Sequence, residues 1–178
     1  TIQSRGLGDV YKRQIFSPTN FPSATTDTYL DEGAPTTAQD TNGLMIGNSS
    51  IANTNVSSTT AIVSFNISML DMPSTYEILS ADLTLTAVSG SGSVEISASR
   101  MFTAWDETAT WDNNTAGSQW NETGALRGSD SDLPDSLVTV SATGEYTWNI
   151  TRIMQLSHAA GSQEAVSYTH LRAHETGW

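Results

Sequence analysis

The chain has 178 residues and no cysteine, which sets aside disulfides and thiolate chemistry and suits one domain around one core. Its 37% hydrophobic and 8% aromatic content sets aside disorder, and no apolar run approaches the roughly 18–20 residues of a membrane span. A formal charge of −12 sets aside nucleic acid and anionic lipid as partners.

Taken from the start, residues 6–14, "GLGDVYKRQ", differ in composition from the body of the chain, and so do residues 167–176, "SYTHLRAHET". Both strings resemble translated sequencing-adapter read-through of the kind found at the ends of metagenomic reading frames. Residues 1–14 and 167–178 are therefore read as non-native tails and 15–166 as a single domain, with the loss of a last strand left open. The basic residues concentrate in those ends. Between 15 and 165 only Arg100, Arg127, Arg152 and His158 carry basic side chains. Such an acidic body fits a surface bathed in salt.

Within the body, short β-rich runs alternate with Gly, Asn, Asp and Ser. "TDTYLDE" (26–32) reads as a first strand. "GLMIG" (43–47) is a short apolar run between glycines. "TTAIVSFNI" (59–67) alternates, with Ile62 or Val63 and Phe65 toward a core. "EILSADLTLTAVS" (77–89) places Ile78, Leu83, Leu85 and Ala87 in a period-two pattern. After "SGSG", "SVEISASRM" (93–101) returns as a predicted hairpin partner. "SLVTVSA" (136–142) and "GEYTWNIT" (144–151) predict a second hairpin across Thr143–Gly144. One helix is predicted over 150–161, with Thr151 as its cap, Gly161 as its end and Ile150, Ile153, Met154 and Leu156 as its apolar stripe. Many short strands with one late helix predict an all-β fold, a jelly-roll type antiparallel β-sandwich.

The order of these elements resembles the DNRLRE domain, also called carbohydrate-binding module family 96 and related to the disaggregatase repeat. The matching stretches are Asp27-Thr28-Tyr29, "NGLMIG" (42–47), "AIVSFNISML" (61–70), "ILSADLTLTA" (78–87), "WDETATWDNN" (105–114) and "TWNITRIMQ" (147–155). Trp105, Glu107, Thr110, Trp111 and Asn113 fall on the family's tryptophan-bearing motif, with one position missing between the tryptophans. The resemblance spans about residues 26–160. It implies a jelly-roll sandwich of secreted and cell-surface proteins, often beside polysaccharide-active domains. The usual closing strand after the helix is replaced here by the tail-like string. Basic groups suited to an acidic polysaccharide are nearly absent.

Three uses are open to the tryptophans of 105–120: core, sugar platform or catalytic pocket. Trp105 and Trp111 are read as core anchors with locally satisfied indole N–H groups. Glu107 is then a buried acceptor for loop amides. Trp120, beside Asn121 and a Gly-rich loop, is the candidate exposed sugar platform. Arg100 and Arg127 could grip a sugar carboxylate bidentately, against the alternative of plain ion pairs. Tyr146 and Trp148 lie two apart on one strand face that reads as core. A structural Ca²⁺ has two candidate sites, Asp27 and Asp31 with Glu32, and Asp130 and Asp132 with Asp135. His158, the sole native histidine, has no nucleophile or base to work with, and no metal-protease or phosphate-loop motif occurs.

Six asparagines, Asn48, Asn55, Asn66, Asn113, Asn121 and Asn149, begin N-x-S/T. Asn66, in a strand, and Asn113, in the motif corner, are poor acceptors on position alone. The expectation is a non-catalytic module of a secreted or cell-surface protein that binds polysaccharide and belongs to a larger native protein. The alternatives are a structural or adhesive surface repeat, and more remotely a polysaccharide lyase or hydrolase.

Overall fold

The computed structural model describes residues 2–5, 11–14, 25–39, 43–51, 55–66, 76–90, 92–125, 128–160 and 166–174, with 2–5, 11–14, 48–51, 55–57 and 166–174 described through their backbone. In chain order the elements are β1 (Ile2–Arg5), β2 (Tyr11–Gln14), β3 (Thr25–Asp31), β4 (Gly47–Ile51), β5 (Asn55–Asn66), β6 (Glu77–Ala87) and β7 (Val94–Arg100). They continue with β8 (Asn113–Thr115), β9 (Ser118–Gln119), β10 (Ser136–Val140), β11 (Gly144–Asn149), α1 (Thr151–Ala159) and β12 (Val166–His174). The chain is an all-β sandwich with one short helix, and the pairs between its strands are antiparallel.

One sheet runs β11-β6-β1-β2 and the other β10-β7-β12-β5-β3, with β4 paired to β5. Alternation builds two cores from the second sheet. Ala61, Val63, Ile96 and Ala98 point inward, against Ile78, Ala81, Leu83 and Trp148 of the first sheet and Ile150, Ile153 and Met154 of the helix. Leu30 and Ile62 point to the opposite face, where they meet Met101, Trp105, Ala109, Trp120 and Ala125. Ile62 and Val63 are thus both buried, on opposite sides of one strand. Trp148 ties the two sheets together: its indole N–H donates to Ile96 O across the sandwich at 2.9 Å.

The period-two pattern in β6 has an odd step in it, from Ile78 to Leu83. The register against β1 shifts there, pairing Gln3 with Ser80 and Ser4 with Ile78. The skipped Leu79 is a bulge that returns Ile78 to the face of Ala81 and Leu83.

Both predicted hairpins are corrected. β6 does not pair with β7, and β10 does not pair with β11. Instead β6 pairs with β11, from Gly144↔Ala87 to Asn149↔Asp82. β7 pairs with β10, from Ser136↔Ala98 to Val140↔Val94. The loops at 88–93 and 141–143 each carry the chain from one sheet to the other, so two arms run side by side and wrap together in jelly-roll fashion. The helix cap is corrected as well. Thr151 stands inside the helix, with Oγ1 accepting from Ala81 N at 3.0 Å, while Asn149 Oδ1 accepts the Thr151 N–H at 3.2 Å. Gly161 lies outside the described residues.

The strings read as tails enter the sheets. β12 fills the slot between β5 and β7, in register from Val166↔Asn66 to Arg172↔Thr60 on one side and from Thr169↔Arg100 to His174↔Glu95 on the other. β1 and β2 extend the first sheet beyond β6.

Candidate functional site

Between β7 and β10 the chain makes a long excursion that roofs the outer face of the second sheet. Its two legs are zipped together. Phe102 and Thr103 donate their N–H groups to Asp130 O at 2.8 and 3.4 Å, and Asp132 donates to Arg100 O at 2.8 Å. The legs then continue into the β7–β10 pair. The roof between them rests on Leu30 and Ile62 through Trp105, Ala109, Trp120 and Ala125.

Asp130 organises this roof. Its carboxylate is fully buried, at 0% exposure. Oδ1 accepts from Thr103 Oγ1 at 2.6 Å, Asn121 Nδ2 at 2.9 Å and Asn121 N at 3.1 Å, and Oδ2 accepts from Glu122 N at 2.9 Å. A carboxylate can be this deep only because donors replace its water. With three donors on one oxygen and an amide on the other, it is a structural staple of the roof. Asp132 accepts the Leu133 N–H and lies 3.5 Å from Arg100 Nη2, and Asp135 holds Arg152 at 2.9 Å. The pairing with Asp135, with Asp132 near, raises the Arg152 pKa above its ordinary value. Asp31 accepts the Gly33 N–H at 2.8 Å, while Asp27 is exposed four residues earlier on the same strand, roughly 13 Å away. Neither candidate calcium set is brought together, and among the described residues no group of three or more His, Asp or Glu is placed to hold a metal.

Trp111 and Trp120 differ in burial from what the sequence predicts. Trp120, expected as the exposed platform, is 5% exposed, and its N–H donates to Thr110 O at 2.8 Å. Its ring faces belong to the core and are closed to a sugar. Trp105, at 7%, is core as expected. Trp111, expected as core, is only half-buried and leans on the roof from outside. Its six-membered ring lies against Gly124: a Cβ there would stand 2.7 Å from Cζ2 and Cη2. Gly124 at φ 77 and Ala125 at φ 54 are both left-handed, a turn that buries Ala125 and brings the bare Gly124 backbone to the indole. The Gly124 N–H also donates to Trp111 O at 2.7 Å. Nothing in the spacing of the tryptophans distinguishes the two; the "TGA" turn at 123–125 is the only local signal.

Thr110 and Asn113 close the corner as the motif suggests: the Asn113 N–H donates to Thr110 Oγ1 at 3.1 Å, and the Thr110 N–H to Asn113 O at 2.8 Å. Glu107 is exposed, so the expected buried acceptor is corrected. Its neighbour Asp106, also exposed, accepts the Thr108 N–H at 2.8 Å and the Thr108 hydroxyl. Asn121 is exposed, but its amide is committed to Asp130, Ser129 O and Thr103. Arg100 is likewise engaged, ion-paired to Asp132 with its guanidinium 5.1 Å from the centre of the Phe102 ring. Arg127 lies outside the described residues. His158 donates from Nε2 to Tyr76 O at 3.1 Å and anchors the helix end to the chain before β6.

Trp111 is thus half-buried at the edge of the roof, with its chain neighbours Asp112 and Asn113 half-buried as well and Glu122 exposed. Compared with known families and curated proteins, the chain matches no family model and no curated sequence.

Proposed function

We propose that the chain is a non-catalytic carbohydrate-binding module of an extracellular or cell-surface protein, engaging polysaccharide at the 102–125 rim with Trp111 as the stacking surface. One observation supports this above others: of the tryptophans among the described residues, Trp111 alone is not buried, and Gly124 backs its ring, with Asp112 and Asn113 next to it in the chain. A sugar presents C–H groups to an indole and hydroxyls to flanking acids and amides. The order of motifs across 26–155, similar to the DNRLRE domain, favours the same reading.

The test is tryptophan fluorescence of the full chain titrated with neutral and acidic polysaccharides, with and without Ca²⁺. Saturable quenching is expected. Trp111→Ala should weaken binding about tenfold, the size of a ~1.4 kcal/mol contact, while near-UV circular dichroism stays native. Gly124→Ala should weaken it too, because the added methyl displaces the ring. Binding that survives Trp111→Ala unchanged moves the site elsewhere.

A structural surface repeat without a sugar site is the second reading. What favours it is that the second sheet is covered on both faces, by Ala61 and Val63 against one core and Leu30 and Ile62 against the other, with no aromatic row on either face among the described residues. A folded chain that answers no glycan supports that reading.

A further inference from the structure

Six N-x-S/T sequons are too many for sequence to rank, and the fold ranks them. Asn66 ends β5, half-buried and in register with Val166 of β12. Asn113 opens β8, half-buried, within the Thr110 corner. Asn121 is exposed, but its Nδ2 donates to Asp130 Oδ1 at 2.9 Å and to Ser129 O and Thr103 Oγ1, each at 3.3 Å. That amide has two hydrogens, and replacing either with a sugar breaks into the staple that holds the roof. The side chains of Asn48 and Asn55 lie outside the described residues.

Asn149 differs from all of these. It ends β11, the outermost strand of the first sheet, on the same strand face as the exposed Glu145 and Thr147. Its Oδ1 accepts the Thr151 N–H at 3.2 Å, which fixes the amide plane. Its Nδ2 has no partner among the described residues, and the residue is exposed. We propose that Asn149 is an N-glycan acceptor of this chain, modified on Nδ2 in a secretory compartment.

The donor class is a lipid-pyrophosphate-linked oligosaccharide, and the catalyst a membrane oligosaccharyltransferase. The Nδ2–C1 bond forms as the C1–O bond to the pyrophosphate breaks. The lipid pyrophosphate leaves with the electron pair, and one Nδ2 proton passes to a base of the transferase. The remaining N–H and the Oδ1 contact to Thr151 are retained, so the folded chain accepts the sugar without losing a hydrogen bond. A glycan at this position also stands over the end of β11, the edge of its sheet, where a neighbouring strand would otherwise dock.

The full chain, carried by a secretory leader, is produced in a eukaryotic cell. Occupied sequons are mapped by mass spectrometry on folded protein from the medium and, for any retained chain, from the microsomal lumen. Asn149 is expected to carry a glycan in most molecules and Asn121 in few, and Asn149→Gln should remove one glycan step on a gel. Site mapping of the unaltered chain decides the matter even if the variant is not secreted. An empty Asn149, or an Asn121 filled as fully as Asn149, overturns the proposal.

Discussion

Asp130 shows how one side chain can govern a whole segment. It is the fully buried acid that receives the backbone N–H groups of Asn121 and Glu122 and the Thr103 hydroxyl, joining both legs of the excursion. Asp130→Ala leaves those donors without an acceptor at a place water reaches poorly, at about 1–3 kcal/mol for each buried donor. Several of them are only part-buried, so the lower end applies, and the expected loss is roughly 3 kcal/mol. It is read as a fall in urea midpoint with the slope unchanged. Asp130→Asn, which keeps one carbonyl oxygen, should lie between. An unmoved midpoint for Asp130→Ala would show that the roof stands without its staple. At this scale the sequence is least legible. "DSDLPD" advertises carboxylates but not whether they face a cation or a set of amides. Trp111 and Trp120 have similar polar neighbours in sequence, and what separates them is a long-range contact of each: the Trp120 N–H reaching Thr110 O, and the Gly124 backbone lying against Trp111.

At the scale of elements, strands are legible and their partners are not. Alternation in 59–67, 77–89, 93–101, 136–142 and 144–151 locates β5, β6, β7, β10 and β11 to within a few residues, because each strand hides one face from water. It does not say which strand lies beside which. A loop such as 88–93 can close a hairpin or step to the opposite sheet, and the burial pattern is the same in either case. The 141–143 crossing has a specific fastener. The Tyr146 phenol oxygen accepts the N–H groups of Ser141 at 3.3 Å and Ala142 at 3.2 Å and donates to Ala142 O at 3.1 Å. The two backbone donors favour the phenolate, so the Tyr146 pKa lies below its ordinary value of 10.0, with mild desolvation opposing. Linkage gives the sign. An acid whose folded pKa is depressed adds stability that is present above its unfolded pKa and fades as pH falls through the folded one. The crossing should therefore tighten as pH rises toward and past 10.0. Ultraviolet titration of the phenolate band, compared with Tyr146→Phe, checks this. Loss of a phenolate component titrating below 10.0 in the variant is the expected result, and an unaltered curve there is the contrary one.

The molecule as a whole depends on a strand that local sequence reading places outside the domain. β12 is hydrogen-bonded on both sides, to β5 and to β7, in the middle of the larger sheet. Without it, β5 and β7 would each present a bare row of N–H and C=O groups, flanked by Ala61 and Val63 on one side and Ile96 and Ala98 on the other. Bare apolar edges of this kind invite pairing between chains. The sandwich would also lose the continuity between its β10–β7 and β5–β3 halves, which no other described strand bridges within that sheet. A chain ending at residue 160 is therefore expected to lose its cooperative melting transition and to elute as aggregate in size-exclusion chromatography. Adding a peptide of residues 164–176 should restore a monomeric peak and a native near-UV spectrum, because the slot asks for backbone pairing in a fixed register more than for any one side chain. If the shortened chain melts cooperatively as a monomer without the peptide, β5 and β7 close directly on each other. The order of the second sheet then becomes β10-β7-β5-β3. Amide hydrogen exchange of the shortened chain checks that closure, since the β7 amides bonded to β12 in the full chain stay protected without it only if β5 takes its place.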